Sequence, residues 1–150
     1  MQDTQTLALS FEVTGLPPIR TESLSIFSAG HRQAGRVRAL LEAACGAAQQ
    51  TGWTPLSEPV ELDVVLRCPP DHHTYDAATL IGGIGAVLQD KKHAANIGLA
   101  HLGSLADVAL YVDDRQIRQI SYRQEPAGDP SYLVRIAALA SAVSPATGAG

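Results

Sequence analysis

The stretch that decides the fold is VELDVVLRCPPDHHTYDAATLIGGIGAVL, residues 60–88. Its opening alternates: Val60, Leu62, Val64 and Leu66 share one face, while Glu61, Asp63 and Arg67 share the other. This predicts a strand with one wet side over residues 60–67. The pair Pro69 and Pro70 ends it, because proline has no N–H for a ladder and fixes its own φ. From Asp76 to Leu88 the period changes. Leu80, Ile81, Ile84, Val87 and Leu88 recur at steps of three and four, the spacing of one helical stripe. Gly82, Gly83 and Gly85 weaken this helix by about 1 kcal/mol each relative to alanine, so close packing against a neighbouring helix or subunit is expected there.

Working outward, LALSFEVT (residues 7–14) alternates with Leu7, Leu9, Phe11 and Val13 on one face, a second half-buried strand. Pro17 and Pro18 then break it. From Gly30 to about Gln50, Ala34, Val37, Leu41, Ala44, Cys45 and Ala48 form a helical stripe, and TGWTPLSEP is its exit loop, with Gly52 near the C-cap position. Downstream, residues 90–103 read as a surface loop or short irregular helix, and Leu105 to Leu110 as a helical turn. A strand is expected over residues 116–124, around Ile117, Ile120 and Tyr122. After the turn EPAGDP, residues 131–139 with Tyr132, Val134 and Ile136 on one face are expected to return as its antiparallel partner. The order strand, helix, strand, helix, strand, strand implies an α+β domain over residues 1–140: a small mixed sheet of about four strands carrying two main helices. Residues 141–150, small and polar, read as a flexible tail.

A chain of 150 residues with 45% apolar and 17% charged residues can bury a core without staples. No apolar run approaches a membrane span, and MQDTQTLALS lacks the basic and apolar regions of an export signal, so a cytoplasmic location is expected. Cys45 and Cys68 show no disulfide or zinc spacing and read as buried thiols. The formal net charge of −4 argues against a general DNA-coating protein. Local arginine clusters exist, with Arg20, Arg32, Arg36 and Arg38 in one and Arg115, Arg118 and Arg123 in another. They read either as a basic contact face or as solvated faces of helix and strand.

The acids worth weighing are Asp71, Asp76, Asp113 and Asp114. A magnesium ion takes carboxylate oxygens from separate chain segments, and phosphodiester hydrolysis uses such ions to activate water. Asp76 lies where a helix begins, and Asp113 and Asp114 lie where a strand begins. Each has a plainer reading too: Asp76 or Thr74 as a helix cap worth about 1 kcal/mol, and the acid pair as a turn. His72 and His73 are adjacent and cannot supply a helical i, i+4 pair. No phosphate-binding glycine loop is present, so no nucleotide cofactor is expected.

Taken together, FEVTGLPP, the arginine-containing helix, VELDVVLRCPP, the acid-led helix YDAATLIGGIGAVLQD and, most tellingly, ALYVDDRQIRQISYR resemble the RusA-like family of Holliday-junction resolvases over about residues 7–137. The resemblance implies a small homodimer that binds four-way DNA and cleaves it with Mg²⁺. The family motif D-x-D-N-x-x-K, completed by the second acid of a later pair, implies Asp76 and Asp114 as catalytic metal ligands with Asp113 beside them. Arg20, Arg32, Arg36 and Arg115, from the arginine clusters, are the candidate DNA contacts. Ala78, Thr79 and Gly82 stand at the motif's second acid, asparagine and lysine. Alanine and glycine bring no side-chain oxygen or charge, and Lys91 or Lys92 is the candidate replacement for the lysine. The expected function is therefore a resolvase homologue with an incomplete acidic site, weakly active or inactive. The alternative is a non-catalytic dimeric DNA-binding or protein-interaction module on the same fold.

Overall fold

A computed structural model describes residues 7–18, 34–70, 77–90 and 100–139. In chain order they form strand β1 (Ala8–Thr14), helix α1 (Ala34–Thr51), strand β2 (Val60–Cys68) and helix α2 (Ala77–Leu88). Two 3₁₀ segments follow, Ala100–Asp107 and Asp114–Gln116, and then strands β3 (Ile117–Pro126) and β4 (Ser131–Ala138). The four strands make one mixed sheet in the order β1-β4-β2-β3. This is the α+β class that the alternation and helical stripes predict.

β2 is the strand around which the rest is arranged. Its residues alternate as expected, with Val60, Leu62, Val64, Leu66 and Cys68 buried. Register carries the apolar face sideways: Leu62 lies opposite Ile136, Val64 opposite Val134 and Leu66 opposite Tyr132. On the far side of β4, Leu9, Phe11 and Val13 meet the same three residues. Val37, Leu40, Leu41 and Ala44 of α1 and Leu80, Ile81, Ile84, Val87 and Leu88 of α2 complete one core cluster with them. Each such aliphatic chain removed from water stabilises the fold by about 1.5–3 kcal/mol, so this one face carries most of the driving force. Both cysteines are free, Cys68 buried and Cys45 half-buried. Among the described residues no helix is long and apolar enough to cross a membrane.

One expectation about the sheet is overturned. β3 and β4 run in opposite directions but do not pair with each other, because β2 lies between them, parallel to β3 and antiparallel to β4. The connecting turn passes over the end of β2, and Ala127 N–H donates to the Cys68 carbonyl at 3.0 Å. Composition explains the exchange. β3 carries Arg118, Gln119, Arg123 and Gln124, all exposed, and its Ile120 is 56% exposed. A strand this rich in exposed polar residues costs least at a sheet edge, whereas the apolar β2 gains most in the middle. A parallel neighbour needs a crossover, and α2 with the segment after it supplies one.

The face of the sheet turned away from the helices is laced with ion pairs. Arg135 reaches Glu61 at 2.8 Å and Asp63 at 3.1 Å, tying β4 to β2. Glu125 accepts from Arg67 at 3.3 Å and Arg123 at 2.9 Å, tying β2 to β3.

Candidate functional site

The acidic corner at residues 110–116 is assembled by backbone pairing with two distant segments. Leu110 N–H donates to the Leu88 carbonyl at 2.8 Å, and Asp90 N–H donates to that of Tyr111 at 3.0 Å, joining the corner to the end of α2. Leu56 N–H donates to Leu110 and Val112 N–H donates to Leu56, at 3.1 and 3.2 Å, joining it to the exit loop of α1. The chain is thus clamped on both sides before it reaches the two aspartates.

Gln116 then fixes the turn. Its Oε1 accepts from the N–H groups of Val112 and Asp113 at 3.0 and 2.8 Å. Its Nε2 donates to the carbonyls of Leu56 and Glu58 at 2.9 and 2.8 Å. Asp113 caps the 3₁₀ turn that follows, and with Gln116 three residues on the two make a reciprocal capping box. The spacing Asp-x-x-Gln was available in the sequence as a capping signal, and it marks Gln116 as a site residue that the metal reading passed over.

The two aspartates have different surroundings. Asp113 Oδ1 accepts the backbone N–H of Arg115 at 2.9 Å, and the Arg115 guanidinium donates to Oδ2 at 2.9 Å. Hydrogen bonds from the Arg115 side chain and then its backbone hold the Asp113 carboxyl down at about 2. Arg115 itself is exposed, and the same contact raises its own affinity for its proton. Asp114 takes its place against α2: Gln89 Oε1 accepts the Asp114 N–H at 2.9 Å. A Cβ built on Gly85 would lie 4.0 Å from Asp114 Cβ, 3.8 Å from the Tyr111 hydroxyl and 3.4 Å from Ile117 Cδ1. The Tyr111 hydroxyl, fully buried, donates to the Gly85 carbonyl at 2.7 Å, and burial first and the Asp114 charge second push its ionisation well above the ordinary tyrosine range. Gly85 thus faces this corner, and a methyl group there would meet it in ordinary van der Waals contact.

The other candidate residues are distributed as follows. Asp71, Asp76, Lys91, Lys92, Arg20 and Arg32 lie outside the described residues. Arg36 is half-buried on α1, where its charge only partly offsets the burial that pushes ionisation of the Tyr132 hydroxyl well above the ordinary tyrosine range. Ala78 is exposed on the first turn of α2, and Gly82 has open space around it. Ala77, the first residue of α2, is eight residues before Gly85, about 12 Å along the helix axis at 1.5 Å per residue. The corner thus sits beside the C-terminal half of α2, and the motif positions Ala78 and Gly82 lie on the turns before it.

The described residues do not by themselves fit a magnesium site. No three His, Cys, Asp or Glu side chains among them come together. With Arg115 donating to both of its oxygens, Asp113 has given its lone pairs to a fixed cation, and a second cation there would have to displace the first. Comparison of the chain with protein-family models and with curated proteins returns no match.

Proposed function

We propose that the chain is a RusA-like homologue of a junction-resolving endonuclease that engages branched DNA as a homodimer, with hydrolysis reduced to a trace or lost. The observation that carries this reading is the position of Asp114. It stands beside Gly85 and Gln89, three residues along α2 from Gly82 and seven, about 10 Å, from Ala78. Asp113, committed to Arg115, supports it, as do Ala78 and Gly82, which have neither the carboxylate nor the cation that phosphodiester cleavage needs to stabilise developing charge.

The decisive assay incubates pure protein in excess with a labelled four-way junction and Mg²⁺ or Mn²⁺. The natural chain is expected to yield little or no product, and the triple change A78D, T79N and G82K to raise cleavage about tenfold or more, with Asp114→Asn abolishing the gain. Efficient Mg²⁺-dependent cleavage by the natural chain would sink the reduced-site reading. Absence of any binding to the junction would sink the DNA reading altogether.

A second reading is favoured by a specific feature: five of the seven described arginines are ion-paired with acids of the same chain, namely Arg38, Arg67, Arg115, Arg123 and Arg135. Paired guanidiniums release fewer counterions on meeting phosphate, which suits a protein-interaction module. A salt series separates the two. Junction affinity that falls steeply between low and physiological salt supports DNA contact, and affinity flat with salt supports the interaction module.

A further inference from the structure

Helix α1 ends in a way that leaves a cleft. Gly52 takes a positive φ of 67°, and Trp53 N–H reaches back to the Ala48 carbonyl at 2.9 Å, the long bond of a Schellman cap. The cap turns the Trp53 ring under the helix end, where its Nε1–H donates to the Leu110 carbonyl at 3.1 Å and fixes the ring plane. Between this end and the 3₁₀ segment Ala100–Asp107 lies a cleft of about 490 Å³, with Cys45, Ala48, Trp53, Pro55, Asp107 and Val108 on its walls. That volume falls in the range of small-molecule sites, and the walls are mainly apolar.

Every electrostatic feature at the cleft has the same sign. Asp107 is an exposed carboxylate at its rim. The last turn of α1 has no basic residue, so although Trp53 and the Thr51 hydroxyl cap its carbonyls, the negative end of the helix dipole meets the cleft with no compensating charge. No lysine or arginine is among the described lining residues. The Trp53 ring adds a negative π face, the best aromatic partner for a cation. An anion would be repelled by this arrangement, and a bare metal ion would find one carboxylate and a hydrophobic wall. We propose that the cleft binds a small organic cation, an ammonium head on an aromatic or aliphatic stem, with the head toward Asp107 and the negative end of α1 and the stem against Trp53 and Val108.

The proposal is independent of DNA binding and has a built-in reporter, because Trp53 is the single tryptophan of the chain. The test titrates the full-length protein with phenethylammonium and follows tryptophan emission, with 2-phenylethanol and phenylacetate as the neutral and anionic counterparts. Phenethylammonium is expected to give a saturable change with a dissociation constant on the order of 1 mM or tighter. The alcohol should bind more weakly and the carboxylate not at all. Asp107→Asn, a change at an exposed position that leaves the far-UV circular dichroism intact, should weaken the ammonium roughly fivefold and leave the alcohol unchanged. The proposal is overturned if phenethylammonium gives no saturable response, if phenylacetate binds as tightly, or if Asp107→Asn keeps the full affinity for the ammonium.

Discussion

At the scale of single residues, the acidic corner shows how a carboxylate that resembles a metal ligand can be used up by its own chain. Arg115 gives Asp113 both a backbone and a side-chain hydrogen bond, and its carboxyl falls from 3.8 to about 2. A folded value below the unfolded one means the contact adds stability that is fully present above about pH 4 and is lost as pH falls toward 2. Asp113→Asn should therefore flatten the pH dependence of stability in that acid window and leave it unchanged near neutrality, as urea midpoints at a series of pH values would reveal. A carboxyl resonance titrating near 4 instead would remove the Arg115 contact from solution. Gln116 makes the larger structural contribution. Its side chain serves four backbone groups from two segments, so Gln116→Ala should cost about 2 kcal/mol, read as a lower denaturant midpoint at unchanged slope. The Asp-x-x-Gln spacing and the adjacent arginine were legible in the sequence. The contact of Asp114 with Gln89 and of Tyr111 with Gly85 was not, because each joins residues about 25 positions apart with no periodicity to link them.

At the scale of elements, α2 reads correctly in its stripe and only partly in its glycines. Leu80, Ile81, Ile84, Val87 and Leu88 are all buried, as their spacing demands. The glycines beside them differ in a way that spacing cannot express. Gly82 has nothing within 4 Å of an added Cβ, whereas at Gly85 that atom would touch Ile117 Cδ1 at 3.4 Å. Gly82→Ala should thus stabilise the protein by roughly 0.5–1 kcal/mol through helix propensity alone. Gly85→Ala should gain at least as much, since its methyl would add ordinary van der Waals contact with Ile117 and the Tyr111 hydroxyl. Thermal melts of the two variants side by side decide it, and a loss of stability in Gly85→Ala would mean the corner packs on α2 more tightly than described. β3 is read correctly as a strand, but not in how far its side chains are covered. Its Ile117 and Tyr122 pack against the core, whereas Ile120, on the same strand, is exposed. Alternation identifies a strand and its sides, and whether anything covers a side is decided elsewhere in the chain.

At the scale of the whole molecule, the undetermined quantity was the order of the strands. A short turn between residues 126 and 131 favours pairing of neighbours, and that local preference lost to the greater burial obtained by placing β2 between them. The choice leaves a trace on the open face, where charges pair across β2 on both sides: Arg67 with Glu125 of β3, and Asp63 with Arg135 of β4. Direct pairing of β3 with β4 would put these partners two strands apart or break them. A double-mutant cycle with Arg67→Ala and Glu125→Ala should accordingly show a coupling of about 0.5 kcal/mol, small because both side chains are more than a third exposed, and diminished by added salt. The cycle of Asp63→Ala with Arg135→Ala should couple by a similar amount. Hydrogen exchange supplies the complementary reading: amides of β2 and β4, hydrogen-bonded on both sides, should exchange only through global unfolding, and the outward amides of β3 should exchange fastest of the four strands. Coupling in one cycle only, or β3 amides protected as well as those of β2, would require a different strand order. With it would go the crossover that carries the chain from α2 to the acidic corner.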